Sequence, residues 1–143
     1  MKVLSIEQMN KLKELGVDVS NASMAIYNIY AGEKKEYDIL SSNGAFPEKQ
    51  EYDRFGYGIH NIVAFDKKPV FTLQDIIELL PYTFNNNYLR IYRSISIYYF
   101  IYENMNLEDD ILEKGRNPLE AAYNMLIWVI ENGYLKVNTD ENN

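Results

Sequence analysis

The sequence predicts an α+β fold: an antiparallel sheet of four to five strands, built as two hairpins, with about three helices in the order α-ββ-(β)-α-ββ-α. Two observations carry this. Three segments show apolar residues at helical spacing behind recognisable N-caps, and the stretches between them hold paired runs of β-branched and aromatic residues. Strands therefore come in runs with helices between the runs, which suits helices packed on one face of an antiparallel sheet.

The first helix starts at Ser5. Ile6, Met9, Leu12 and Leu15 follow at three-residue spacing, Gln8 completes a capping box with Ser5, and Gly16 stands where the helix stops. So short an amphipathic helix must dock on something to persist. Met24 to Ala31 is rich in strand formers, Gly32 to Lys35 reads as a turn, and Glu36 to Leu40 as the returning strand of a first hairpin. Ser41 to Gln50 reads as loop, with Asn43-Gly44 and Pro47 as breakers, and Ile59 to Phe65 offers a third strand. Pro69 marks a boundary. Thr72 caps a second helix, with Asp75 answering it and favouring the positive helix start; Leu73, Ile76, Ile77, Leu79 and Leu80 form the apolar side and Pro81 stops it.

Asn85 to Asn87 reads as loop. Tyr88 to Ser94 and Ser96 to Tyr102 read as a second hairpin, or as one long bent strand, because the link contains no glycine. Asn104 to Arg116 is mostly polar, with Leu107, Ile111 and Leu112 able to form a short helical turn. Asn117-Pro118-Leu119-Glu120 is a strong helix start, and that helix runs to Asn132 before Gly133 ends it. It has almost no polar face, so it is buried on several sides or forms part of an interface. Tyr134 to Val137 adds a short edge strand. The expected organisation is one domain over 1–137 and a frayed tail over 138–143.

Superposing Ser5 on Thr72 aligns Ile6 with Leu73, Met9 with Ile76 and Leu12 with Leu79. Either this is a duplicated helix-hairpin unit, in which case the two hairpins pair in one sheet, or capped amphipathic helices simply look alike.

Composition excludes several classes. With no Cys there are no disulfides and no Cys-ligated zinc or iron–sulfur centres, and a single His rules out sites needing two. The apolar run Met125 to Ile130 falls far short of the ~20 residues that span a bilayer, and Met1 to Glu7 lacks the apolar stretch of a signal peptide, so the expected location is cytoplasmic. The net charge is −7, concentrated in the second half of the chain. Such a surface repels phosphates, which argues against nucleic acid and anionic membranes as partners. Only Glu103 to Glu113 approaches the charge density of a duplex, and a solvated acidic stretch explains it better than DNA mimicry does, since charge runs are usually solvated surface.

No catalytic constellation emerges, and no cofactor or metal is expected. His60 stands alone, and would need Asp53, Asp66 or Glu51 brought beside it in a cleft for acid–base work. Ser94 and Ser96 lack a nucleophile-elbow context. Gly56-Tyr57-Gly58 is too short for a phosphate cradle. Glu108-Asp109-Asp110 with Glu113 lacks the spacing of a calcium loop.

The unusual feature is the 13 tyrosines. Read by simple alternation, Leu89, Ile91, Ile95, Ile97, Tyr99 and Ile101 form an aliphatic core face, while Tyr88, Tyr92, Tyr98, Phe100 and Tyr102 form an aromatic one. That aromatic face is either covered within the chain or used for contact. The expected function is therefore a small non-catalytic interaction protein that binds a protein partner, or a second copy of itself as a homodimer, through Tyr88, Tyr92, Tyr98, Phe100 and Tyr102. The alternative is a small-ligand binding module whose pocket is lined by tyrosines with Arg90 or Arg93.

Two phrases, Phe71-Thr72-Leu73-Gln74-Asp75-Ile76-Ile77-Glu78-Leu79-Leu80-Pro81 and Leu126-Ile127-Trp128-Val129-Ile130-Glu131-Asn132-Gly133-Tyr134-Leu135-Lys136, together with the opening Ser5 to Met9 and Leu15 to Asp18, resemble segments of small uncharacterised proteins from gut Bacteroidales and their phages or mobile elements. The resemblance implies such a host and an accessory role. It carries over no activity and no site residues.

Overall fold

A computed structural model describes residues 1–30, 36–45, 63–106, 109–135 and 137. The described residues form an α+β structure of three helices and two antiparallel sheets. The elements are α1 (Ile6–Glu14), β1 (Met24–Tyr30), β2 (Glu36–Ser42), β3 (Val63–Val70), α2 (Leu73–Leu79), β4 (Thr83–Phe84), β5 (Asn87–Arg93), β6 (Tyr98–Asn104), β7 (Ile111–Gly115) and α3 (Pro118–Glu131). Where one domain over 1–137 is expected, the chain groups into two compact units: Met1–Asp18 with Phe71–Asn143, and Val19–Val70. The expected tail over 138–143 lies outside the described residues.

The Val19–Val70 unit is built on a three-stranded sheet of order β2-β1-β3. Its hairpin is the predicted one, with Met24 opposite Ser42 and Tyr30 opposite Glu36. The third strand runs further than expected, straight through Pro69, which stands opposite Ala25. An edge strand tolerates proline because half of its backbone donors point away from the ladder. Ala25, Tyr27 and Ile29 alternate along β1 into one buried cluster, with Ile39 packed against it.

The buried Tyr27 ring carries its hydroxyl to the Ser42–Ala45 turn. That hydroxyl donates to the Ser42 carbonyl (3.0 Å) and accepts from the backbone N–H groups of Gly44 (2.6 Å) and Ala45 (3.1 Å). Tyr27→Phe removes the acceptor for two turn amides. The expected cost is about 1–2 kcal/mol, read as a lower urea midpoint at unchanged slope.

The other unit joins the three helices to a four-stranded sheet of order β4-β5-β6-β7. All three helix starts are as the sequence predicts. Gln8 N–H donates to Ser5 Oγ (3.1 Å) and Ser5 N–H to Gln8 Oε1 (2.9 Å). Thr72 and Asp75 repeat this reciprocal pair at 3.2 and 2.9 Å, and Asn117 Oδ1 accepts from the Glu120 N–H at 2.9 Å. Gly133, with φ of 79°, follows the last helix.

Helix α3 buries Ala121, Ala122, Met125, Leu126, Val129 and Ile130 and packs on α2, β6 and β7. Met9 and Leu12 of α1, Leu4, Phe71 and Ile76 add to the buried apolar set of this unit. Between β4 and β5, Asn85 and Asn86 both take positive φ (46° and 64°). This is a two-residue hairpin turn, which asparagine enters at low cost, so the predicted loop is a tight turn.

Two further expectations change. Ile111 and Leu112 do not form a helical turn; they begin β7, which pairs along β6 from Tyr102–Ile111 to Tyr98–Gly115. Tyr134 and Leu135 do not form a strand; the Tyr134 ring lies against Phe84, centroids 4.1 Å apart. The single sheet expected of a helix-hairpin duplication is also absent among the described residues, because the two hairpins belong to different sheets.

Candidate functional site

The faces of the four-stranded sheet follow from its register. In β5 and β6, Asn87 stands opposite Asn104 and Arg93 opposite Tyr98, so each pair joins an odd with an even position. The connecting loop, Ser94 to Ile97, has an even number of residues and is closed by Ser94 N–H donating to the Ile97 carbonyl (2.8 Å). An even link inverts parity between the strands, which corrects the single aromatic face expected from counting straight through.

The five predicted residues are divided accordingly. Tyr98, Phe100 and Tyr102 share one face with Leu89 and Ile91. Tyr88 and Tyr92 share the other with Arg90, Tyr99, Ile101 and Glu103. Phe100 and Tyr102 are fully buried, so they belong to the core and not to a contact surface. The expected aliphatic core face fails with the aromatic one: Ile95 is 97% exposed at the loop tip and Ile91 is 47% exposed.

The buried face is covered from within the unit. Phe84 meets Tyr102 with ring centroids 4.7 Å apart and stacks on Tyr134, while Trp128 stacks on Tyr134 at 5.7 Å. The Tyr102 hydroxyl donates to the Pro81 carbonyl at 2.6 Å, and burial pushes its pKa well above the ordinary phenol value. Tyr98, partly buried, lies under the Arg93 guanidinium at 5.7 Å.

The opposite face holds a polar cluster around Glu103. Its carboxylate accepts from the Tyr92 hydroxyl on one oxygen (2.6 Å) and pairs with Arg90 Nε on the other (3.0 Å). Arg90 Nη1 also reaches the Tyr92 hydroxyl at 3.5 Å, and its guanidinium lies 5.6 Å from the Tyr88 ring centre. Cross-strand geometry brings these groups together, since Tyr88 stands directly opposite Glu103 and Arg90 opposite Ile101. The Tyr92 hydrogen bond and then the Glu103 charge hold Arg90 more firmly protonated than usual. The bond to Glu103 likewise raises the Tyr92 phenol, because ionising it would set two anions together.

Along this strand runs an open hollow of about 330 Å³ lined by Tyr82, Tyr88, Leu89, Arg90, Ile91 and Tyr92. Arg90 is thus at the hollow, as the small-ligand alternative expects; Arg93 is not among its lining residues. Tyr82, 74% exposed, is a lining residue that sequence reasoning passed over. Its position just after a helix-stopping proline was the available signal. A second hollow of about 620 Å³, between the chain start and α3, includes Lys2, Gln8, Glu120 and Tyr123 in its wall.

His60, Glu51, Asp53, Gly56 to Gly58 and Glu108 lie outside the described residues. Asp109 and Asp110 are exposed, and Asp110 Oδ1 accepts from the Asn104 N–H at 3.2 Å. Asp66 pairs with Lys68 at the surface, 3.7 Å apart. Among the described residues, no group of three or more His, Asp or Glu side chains is placed to hold a metal ion, and no helix is long and apolar enough to cross a membrane. Compared with known family models, curated proteins and solved structures, the chain matches none.

Proposed function

We propose that this chain is a small non-catalytic interaction protein of the cytoplasm, and that it binds a protein chain through the outer side of β5. The observation that carries this reading is the Tyr88–Arg90–Tyr92–Glu103 cluster. Glu103 orients an arginine and a tyrosine at the surface, and both residue types are favoured at binding centres because they offer broad contact area at modest ordering cost. Ile91, exposed on the opposite face of the same strand, and Ile95 at the loop tip add apolar surface along this edge of the sheet. The acidic net charge weighs against nucleic acid and anionic membranes as occupants. An accessory role agrees with the resemblance to small mobile-element proteins.

A photo-crosslinking phenylalanine analogue placed at Tyr92 tests the reading in the native host. It is expected to yield discrete adducts, while the same analogue at exposed Lys11 on α1 yields none. Equal labelling from both positions would remove the assignment.

The second reading is a small-ligand module. It is favoured by the 330 Å³ hollow, whose tyrosines and Arg90 suit a planar anionic ligand. A protein-observed fragment screen, read by amide shifts at Tyr82 and Tyr88, separates it from the first.

A further inference from the structure

Strand β5 is covered on its outer side only at its start. β4 pairs with Asn87 and Tyr88, and the Leu89 N–H donates to the Tyr82 carbonyl at 2.9 Å. Pro81, which has no N–H, precedes that contact. Since backbone groups alternate in direction along an antiparallel strand, Ile91 and Arg93 point their N–H and C=O groups the same way as Leu89. Among the described residues no strand pairs with them on that side.

The far edge of the sheet is treated differently. There Asn124 of α3 donates to the Lys114 carbonyl at 2.9 Å, so a helix side chain occupies an acceptor near the end of β7. Open edges are normally blunted, because an unpaired ladder recruits another strand.

The charge on the open edge is distinctive. In a chain of net charge −7, β5 carries two arginines and no acidic residue. Glu103 answers Arg90, whereas Arg93 meets the Tyr98 ring and, among the described residues, no carboxylate. A second copy laid antiparallel on the same edge would bring like charges together, at a cost. A strand carrying carboxylates would relieve that charge.

Resting on the interaction reading above, we infer that the open edge of β5 from Arg90 to Arg93 takes an extended acidic peptide as an added strand. Backbone hydrogen bonds to Ile91 and Arg93 supply affinity, a carboxylate of the peptide pairs with Arg93, and the peptide's alternate, apolar side chains lie on the other face of the sheet, beside Tyr92.

The test is amide hydrogen exchange of the full chain with three synthetic peptides: one alternating valine with glutamate, one alternating valine with lysine, and the glutamate peptide N-methylated at alternate amides. The glutamate peptide is expected to slow exchange at Ile91 and Arg93, with little effect at Tyr92, which already faces β6. The N-methylated peptide should bind about tenfold more weakly, and the lysine peptide should not bind. Arg93→Glu, an exposed change that spares the core, is expected to reverse the preference between the two charged peptides. Equal binding of both charged peptides, or unchanged exchange at Ile91 and Arg93 at saturation, overturns the inference. So does concentration-dependent protection of the same amides in the protein alone, which assigns the edge to a second copy. Crosslinking from Tyr92 that persists when the peptide result is negative leaves the face in use and removes only the strand-addition mode.

Discussion

Replacing Gly115 by alanine is expected to destabilise the helix-containing unit by on the order of 2–3 kcal/mol. Gly115 ends β7, immediately before the capped start of α3. A Cβ built there would stand 2.5 Å from the Ala121 backbone nitrogen, 2.9 Å from Glu120 Cβ and 3.0 Å from the Glu120 carbonyl carbon. Two of those atoms are backbone in the helix, so no side-chain rotation relieves the contact. Either α3 moves off the sheet or the strand end bends, and both disturb a helix whose inner face holds much of the unit's buried surface. The measurement is the urea midpoint at unchanged slope. An alanine variant matching the parent protein would mean that β7 and α3 are not so close in solution.

Truncating Tyr102 should cost still more. The side chain is fully buried and its ring packs on Phe84, so Tyr102→Ala is expected to lose about 3–5 kcal/mol. Tyr102→Phe keeps the ring and loses only the bond to the Pro81 carbonyl, for about 1–2 kcal/mol. The two variants also separate in alkali. Burial raises the Tyr102 pKa in the folded state above its unfolded value near 10, so the group's contribution is fully present below about pH 10. As the pH climbs toward the folded value, the unfolded chain ionises first and stability falls by about 1.4 kcal/mol per pH unit from this group. Tyr102→Phe should flatten that part of the curve. Urea midpoints between pH 9 and 11 for parent and variant check it, and parallel curves would show that the phenol is not shielded.

What the sequence makes legible here is local. Ser5 with Gln8, Thr72 with Asp75, and Asn117 with Glu120 each signal a helix start within four residues, and all three form. The first hairpin is equally readable from its composition. The parity between β5 and β6 is not, because it depends on whether the loop holds an even or an odd number of residues, and Ser-Ile-Ser-Ile contains no turn-defining glycine. That one ambiguity carried Phe100 and Tyr102 from the core to the surface in the expected site and hid the partnership of Tyr92 with Glu103. β7 was illegible for a related reason: Glu113 and Lys114 make it look like loop, yet an edge strand beside β6 needs few apolar residues. Arg90 was named only for the ligand-pocket alternative; its carboxylate partner lies 13 residues away in the chain and is brought near only by cross-strand pairing.

The ring cluster of Phe84, Trp128 and Tyr134 includes the chain's sole tryptophan. Indole emission is therefore an intrinsic reporter for the helix-bearing unit, red-shifting when α3 leaves its aromatic neighbours. Melting of the three-stranded unit, which holds no such chromophore, should be silent in that channel while visible to circular dichroism. Comparing the two signals in one thermal scan would reveal whether the units lose structure together or in succession.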